Sequence, residues 1–168
     1  MTWNEIPPEH LADNPIQLIA EDWTLITGGT LEKWNTMTAS WGGLGVIWNR
    51  PVTFIFVRPT RYTYHFLEQR VWHTLSFFDE EHRSKLTHCG NVSGRDHDKA
   101  AETGLVPEAI AHEAVTFAQA RLVILSRTIY FQDLDAEGFV DPSISANYPK
   151  KDYHRLYVGE IEKVLVRQ

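Results

Sequence analysis

A single cysteine, Cys89, stands in a chain of 168 residues. No disulfide can close within the chain, so nothing points to an oxidising compartment. No apolar run is long enough to cross a bilayer. The opening MTWNEIPPEHLADNP has neither the basic start nor the apolar stretch of a secretory leader, and a cytoplasmic protein is expected. Positive charge is also scarce: 16 Lys and Arg face 22 Asp and Glu, a net charge of -6. General nucleic-acid binding needs a basic face that this balance does not supply. Neither nucleic acid nor a membrane is therefore expected as a partner.

Familiar catalytic signatures are missing too. Gly42 to Gly45 reads GGLG, but Trp48 stands where a dinucleotide-binding fingerprint needs its third glycine. There is no P-loop and no GxSxG elbow. His82, His88, Cys89 and His97 lie close in sequence at spacings that match no zinc pattern, and no metal is expected. Internal repeats, low-complexity segments and linkers are absent, so one domain over residues 1–168 is expected.

What the chain has in plenty is aromatic side chains, 12% of residues with six tryptophans. Tryptophan packs cores, and it also walls flat ligands. The pattern predicts a short helical piece at Pro7-Pro8 and a helix PIQLIAED entered by Asn14 as N-cap and Pro15 at its first position. Trp23–Thr27 reads as a strand with Gly28-Gly29 as its exit turn. Asn35–Ala39 is extended. Pro51–Arg58 is a strand, Tyr62–Gln69 a short helix, and Val71–Phe78 a strand followed by a helix capped by Asp79. Arg95–Thr103 is predicted helical, ending at Gly104. Phe117–Phe131 is one long strand or a bent pair, with a helix for its first half as the alternative. Asp141 starts a short helix, and Arg155–Val166 is a strand kinked at Gly159. Strands with short helices between them do not make a doubly wound sheet. A mainly β chain is expected, a closed or nearly closed antiparallel barrel with peripheral short helices.

Three segments carry chemistry. NTMTASW, Asn35 to Trp41, replaces the bulky residues of a structural strand with small and hydroxyl-bearing ones, leaving space and offering backbone groups to what fills it. RPTRYT, Arg58 to Thr63, puts two guanidiniums and hydroxyls where a strand ends and a helix begins. That corner suits a phosphate, and equally a capped helix with a surface arginine pair. SGRDHDK, Ser93 to Lys99, follows Gly90 into a loop whose amides can approach a ligand; an ordinary loop-to-helix junction reads the same way. His154, in DYHRLYVGEI, suits either a proton-shuttling contact or a surface position.

In this order, and with GEI after a histidine near the end, the three segments resemble the flavin reductase-like family of FMN-binding split barrels. That family includes NAD(P)H:flavin reductases and flavoredoxin-type proteins. The likeness runs from about Trp23 to the C-terminus. It implies a six-stranded antiparallel Greek-key barrel, a homodimer, and FMN near the dimer interface. It implies that Asn35, Thr36, Met37, Thr38, Ala39, Ser40 and Trp41 line the isoalloxazine ring. Arg58, Thr60, Arg61 and Thr63 would surround the phosphate. Ser93 and Gly94 would close over the flavin, with Arg95 and Lys99 as further contacts. His154, the candidate catalytic residue, would lie near the nicotinamide or the flavin ring. Trp41 and Trp48 are expected to wall the ring. The implied activity is an oxidoreductase in which NADH or NADPH reduces bound FMN, which passes electrons to free flavin or another acceptor. The alternative is a flavoredoxin-type electron carrier reduced by a partner such as an iron–sulfur protein. Crowding of the ring face by Trp48, Trp72, Tyr64 and Tyr148 motivates it, and DYHRLY departs from the histidine context common in reductases of free flavin. A barrel without flavin, acting as an interaction module, is the third reading.

Overall fold

The structure is a computed structural model, and it describes residues 2–167. Ten strands are present: β1 (Trp3–Ile6), β2 (Thr24–Thr30), β3 (Lys33–Ala39), β4 (Gly42–Ile47), β5 (Arg50–Val57), β6 (Trp72–Phe77), β7 (Pro107–Ala109), β8 (Val115–Phe117), β9 (Leu122–Asp133) and β10 (Arg155–Arg167). The helices are α1 (Pro15–Gln17), α2 (Tyr62–Gln69), α3 (Arg83–Asn91) and α4 (Lys99–Thr103). Eight strands make one antiparallel sheet in the order β3-β2-β6-β9-β10-β5-β4, with β1 on β10; β7 and β8 form a separate ribbon.

Ile26, Met37, Ile55, Leu75, Ile124 and Tyr157, from six different strands, are all buried in one cluster. The sheet is therefore rolled around a shared interior, each strand sending alternate residues inward. β10 splits the roll. Its first half, Arg155–Glu160, pairs with β5, and its last residues pair with β1, while β9 runs along its other edge.

Eight strands stand where six were expected. The additions are β1 and β4, and β4 starts in the GGLG run, whose glycines hide a strand from any propensity reading. Gly28-Gly29 is not an exit turn. Both residues lie inside β2, opposite Asn35 and Trp34, and the hairpin turns at Leu31-Glu32 instead. A Cβ at Gly29, whose φ is +106°, would fall 2.2 Å from the Lys33 carbonyl oxygen. A Cβ at Gly28 would press on Phe66 and Leu67. The two glycines thus serve close approach, one within the hairpin and one under α2.

Other differences are local. Only Lys99–Thr103 of Arg95–Thr103 is helical, because the Asp98 carboxylate accepts the Ala101 N–H and caps the helix late. Asn14 accepts the N–H groups of Ile16 and Gln17 as expected, but after Gln17 the coil widens to a π-turn over Leu18–Asp22 that buries Leu18 and Ile19. Asp79 stands at an N-cap position without any side-chain cap bond. Phe117–Phe131 is a pair of strands broken at Ala118–Arg121. No helix among the described residues is long and apolar enough to cross a membrane.

The kink at Gly159 is present as a register shift of β10 against β9. A Cβ there would lie 2.8 Å from both Ser126 Cβ and Thr53 Oγ1, and 2.9 Å from His73 Cε1. His73 is fully buried, its Nε2 has no partner among the described residues, and burial pushes its pKa down to about 4. Gly159→Ala should therefore overpack a rigid polar knot and cost ~1–3 kcal/mol in urea unfolding. Gly138→Ala, where an added Cβ meets nothing within 4 Å, should change stability by less than ~0.5 kcal/mol. Equal stabilities of the two variants would contradict this packing.

Candidate functional site

β3 is the end strand of the sheet and pairs only with β2. In such a strand every second residue turns its amide away from the partner. The Thr36 carbonyl accepts the Lys99 ammonium at 2.7 Å, which identifies Thr36, and two residues on Thr38, as the outward-facing ones. Two cavities of about 170 Å³ each adjoin along this edge. The first is lined by Met37, Thr38, Ala39, Ser40, Trp41, Phe56, Arg58, Arg61 and His154. The second is lined by Asn35, Met37, Thr60, Arg61, Tyr62, Thr63, Asn91, Val92, Ser93, Gly94, Arg95 and Lys99. Met37 and Arg61 belong to both.

Of the residues expected to hold or wall the flavin, all line one cavity or the other except Thr36 and Trp48. Thr36 is fully buried, its hydroxyl bonded to the Ile26 carbonyl and the Thr27 hydroxyl. The separate segments meet for local reasons. Gly28 lets α2 sit on β2. The Asn35 amide then donates to Thr63 Oγ1 at 2.8 Å, tying β3 to the first turn of α2. Asn35 Oδ1 fills the space beside Gly94, where a Cβ would come within 1.9 Å of it. Only glycine lets the Ser93–Asp98 turn close against β3.

The second cavity has an unusual charge. Three cations line it, and among the described residues no carboxylate does, although the chain carries a net charge of -6. Lys99 is buried, and its Nζ donates only to the carbonyls of Thr36 and Cys89, at 2.7 and 2.8 Å. Burial first, then the Arg61 guanidinium, push its pKa down to about 8, with Cys89 acting the other way. Cys89 itself is fully buried, and that burial pushes its thiol up. Arg61 gives one nitrogen to the Gly90 carbonyl at 2.9 Å. It also occupies the N-cap position of α2 without a side-chain cap bond; the Tyr64 N–H bonds the Arg61 carbonyl at 3.1 Å, while the Tyr62 and Thr63 N–H groups have no partner among the described residues. Arg95 lies over the Tyr62 ring and pairs with His65.

The first cavity is aromatic. His154 sits with its ring 5.4 Å from Trp41 and 6.5 Å from Phe56, and its Nδ1 is 2.7 Å from the Tyr148 hydroxyl. Burial, then Arg58 and Arg61, push its pKa down to about 4 against the pull of Asp152. The imidazole is neutral at pH 7. Arg58 reaches this cavity rather than the second, and its two terminal nitrogens are paired, one with Asp152 at 2.9 Å and one with the Asn147 carbonyl at 2.8 Å.

Trp48 does not wall this cavity. It stands exposed at the β4–β5 turn with a φ of 53° and packs on Tyr130. Trp72 stacks on His112, and Tyr64 packs against Tyr157. Of the four aromatics expected to crowd the ring face, only Tyr148 touches the site. Phe56 was missed, yet it was legible: it is two residues before Arg58 on one strand and so shares its face. Cavity size does not select the site. An apolar cavity of about 590 Å³ lies between the N-terminal segment and β4, lined by Leu44, Ile124 and Val164 among others, with few polar groups.

No protein-family model and no curated protein matches the chain. Solved structures do. The flavoredoxin of Desulfovibrio vulgaris (Miyazaki F) is 20% identical, with a TM-score of 0.68 over 97% of this chain and 78% of that one. An FMN-binding protein from Thermus thermophilus, with bound p-hydroxybenzaldehyde, gives 16% and 0.70 over 97% and 78%. An FMN-binding domain of a flavin reductases-like enzyme from Shewanella baltica OS155 gives 15% and 0.70 over 98% and 77%. The fold is that of the FMN-binding split barrels.

The two depressed histidines set a pH dependence. Between pH 6.5 and about 4 the unfolded chain binds protons that folded His73 and His154 refuse. Their contribution to stability is whole above 6.5 and is lost as pH falls through that window, with a slope approaching ~2.7 kcal/mol per pH unit for two protons. Urea unfolding from pH 7 to pH 4 reads this slope, and His154→Gln should roughly halve it. A flat profile would mean that neither imidazole is held neutral.

Proposed function

We propose that this chain is a single-domain flavoprotein that holds FMN across the two adjoining cavities and acts as an oxidoreductase of the flavin reductase type. The observation that carries the reading is the second cavity: three cations, two open N–H groups at the start of α2 and, among the described residues, no carboxylate, set inside an acidic protein. A dianionic phosphate answers that imbalance. Arg61 supplies a guanidinium, Lys99 a fixed ammonium, and Thr60, Thr63 and Ser93 supply hydroxyls. An anion beside Lys99 also restores the charge that burial discourages.

The donor set of the first cavity fits a flat heteroaromatic ring. Thr38, Ala39 and Ser40 are small enough to let such a ring approach the β3 backbone, whose outward amides offer hydrogen bonds to its polar edge. Asn35 fixes the distance between β3 and α2, and so between the two halves of the site. Trp41 and Phe56 give apolar faces, and neutral His154 stands at the edge. Bound flavin would supply the hydride and electron chemistry, with NADH or NADPH as the proposed donor. A homodimer and a cytoplasmic setting belong to the same proposal; Trp41, half exposed at the cavity, is apolar surface that a second subunit would cover.

One observation favours the carrier reading. The ring cavity is small, about 170 Å³, and two of its lining residues, Arg58 and His154, are themselves held by the segment around Tyr148, which leaves little room for a nicotinamide beside a flavin. Such a protein would take electrons from a partner such as an iron–sulfur protein.

The purified protein is expected to bind FMN with quenching of flavin fluorescence. Arg61→Ala removes a charge-assisted contact worth about 1.5–3 kcal/mol, roughly 10- to 150-fold in Kd. Unchanged affinity in that variant would place the phosphate elsewhere. Anaerobic stopped-flow mixing with NADH and with NADPH should bleach the bound flavin. Flavin that stays oxidised with both, but is reduced by a low-potential iron–sulfur protein, selects the carrier. A protein that never takes up FMN ends both readings.

A further inference from the structure

We propose that Tyr148 is a positioning residue that fixes the His154 imidazole at the ring cavity, and that Arg58 is the clamp that holds Tyr148 in place. The geometry is independent of any ligand; its use rests on the flavin reading above.

The chain between β9 and β10 leaves the barrel. From Asp135 to Lys151 it is exposed at nearly every residue, and Tyr148 alone is buried. One buried side chain in a long exposed excursion is an anchor. Its seat is built from four sides. Phe139 stacks on the Tyr148 ring at 5.8 Å, and Tyr153 packs at 5.0 Å. The Arg58 guanidinium lies over it at 4.8 Å, and His154 meets it edge-on at 5.5 Å.

Arg58 reaches this segment from the end of β5 and grips it on both sides of the tyrosine, at the Asn147 carbonyl and at the Asp152 carboxylate. A guanidinium binds phosphate through its fork of N–H groups. Here the fork is already closed on protein. Arg61, by contrast, gives one nitrogen to a single carbonyl. The two arginines of RPTRYT thus divide the work: one faces the anion cavity and the other holds the neighbouring segment.

The anchor reports to the site through one hydrogen bond, Tyr148 Oη to His154 Nδ1 at 2.7 Å. The phenol has no other acceptor among the described residues, so it donates and Nδ1 accepts. That selects the tautomer with hydrogen on Nε2. His154 lines the first cavity, and its Nε2 has no partner among the described residues. The result is a neutral imidazole with a fixed N–H donor facing the cavity. It suits a carbonyl oxygen of a flat heteroaromatic ligand, whether the flavin's own or a nicotinamide carboxamide's.

The test is ¹⁵N NMR of histidine-labelled full-length protein at pH 7. Wild type should show His154 protonated at Nε2, with Nδ1 shifted by an accepted hydrogen bond. Tyr148→Phe should lose that shift and populate both tautomers. Arg58→Leu should do the same and speed hydrogen exchange from Asp141 to Asp152. An Nδ1–H tautomer in wild type overturns the role of Tyr148 even if the variants fail to fold. Unchanged exchange in Arg58→Leu overturns the clamp. Titration with FMN, then with NAD⁺, locates the acceptor. A shift at Nε2 with FMN alone assigns the flavin carbonyl, one only after NAD⁺ assigns the carboxamide, and none with either overturns the donor role. Failure to bind FMN at all counts against the flavin reading, with the tautomer result standing apart from it.

Discussion

The arrangement depends on one buried ammonium. Lys99 begins α4, yet its Nζ passes behind the Ser93–Asp98 turn to bond the Thr36 carbonyl on β3 and the Cys89 carbonyl on α3. Three elements distant in sequence are therefore joined at one atom, and each contributes a wall of the second cavity. Desolvating a charge is costly, and carbonyl dipoles answer only part of it. The chain accepts that cost at the place where Arg61 brings a second cation close. Charge that could be left in water is instead gathered and kept unneutralised, which is a signature of a ligand site more than of a stable fold.

The barrel supplies the rigid frame for this. β10 is long enough to pair with three strands, and its kink at Gly159 lets the first half follow β5 while the second half turns to β1. The first half delivers His154 just before the strand begins. β5 delivers Phe56 and Arg58 from one face of its end. Strands that end together at one rim place side chains more reproducibly than loops do. The loops that remain are tied to the frame by arginines: Arg95 of the Ser93–Asp98 turn reaches the Thr60 carbonyl and His65, and Arg58 holds Asn147 and Asp152.

Much of the site was legible because small and hydroxyl residues are conspicuous in a strand; arginine and threonine beside a proline at a helix start fit a phosphate and a capped helix equally, and gained weight only in combination with the other two segments. Asn35 to Trp41, Thr60 to Thr63 and Ser93 to Lys99 do converge. What stayed hidden depends on long-range packing. Gly28-Gly29 looks like a turn by composition and is strand because β3 and α2 press on it from two sides. Trp48 looks like a ring wall by type, but the two-residue hairpin carries it outward to Tyr130. Late helix entry at Lys99 follows from Asp98, a better cap than Arg95 could be. Arg58 and Arg61 are indistinguishable in sequence, and only the segment 94 residues away, at Asp152, separates them.

Cys89, beside the Lys99 ammonium, is shielded from oxidation. Oxidants attack exposed thiolates. Cys89 packs in one buried cluster with Leu25, Phe78 and Leu86, and its carbonyl turns to Lys99. Its burial and its raised thiol keep it in the protonated, unreactive form. The chain's one cysteine thus meets the Lys99 ammonium only through its backbone oxygen, while its sulfur stays packed out of reach of solvent.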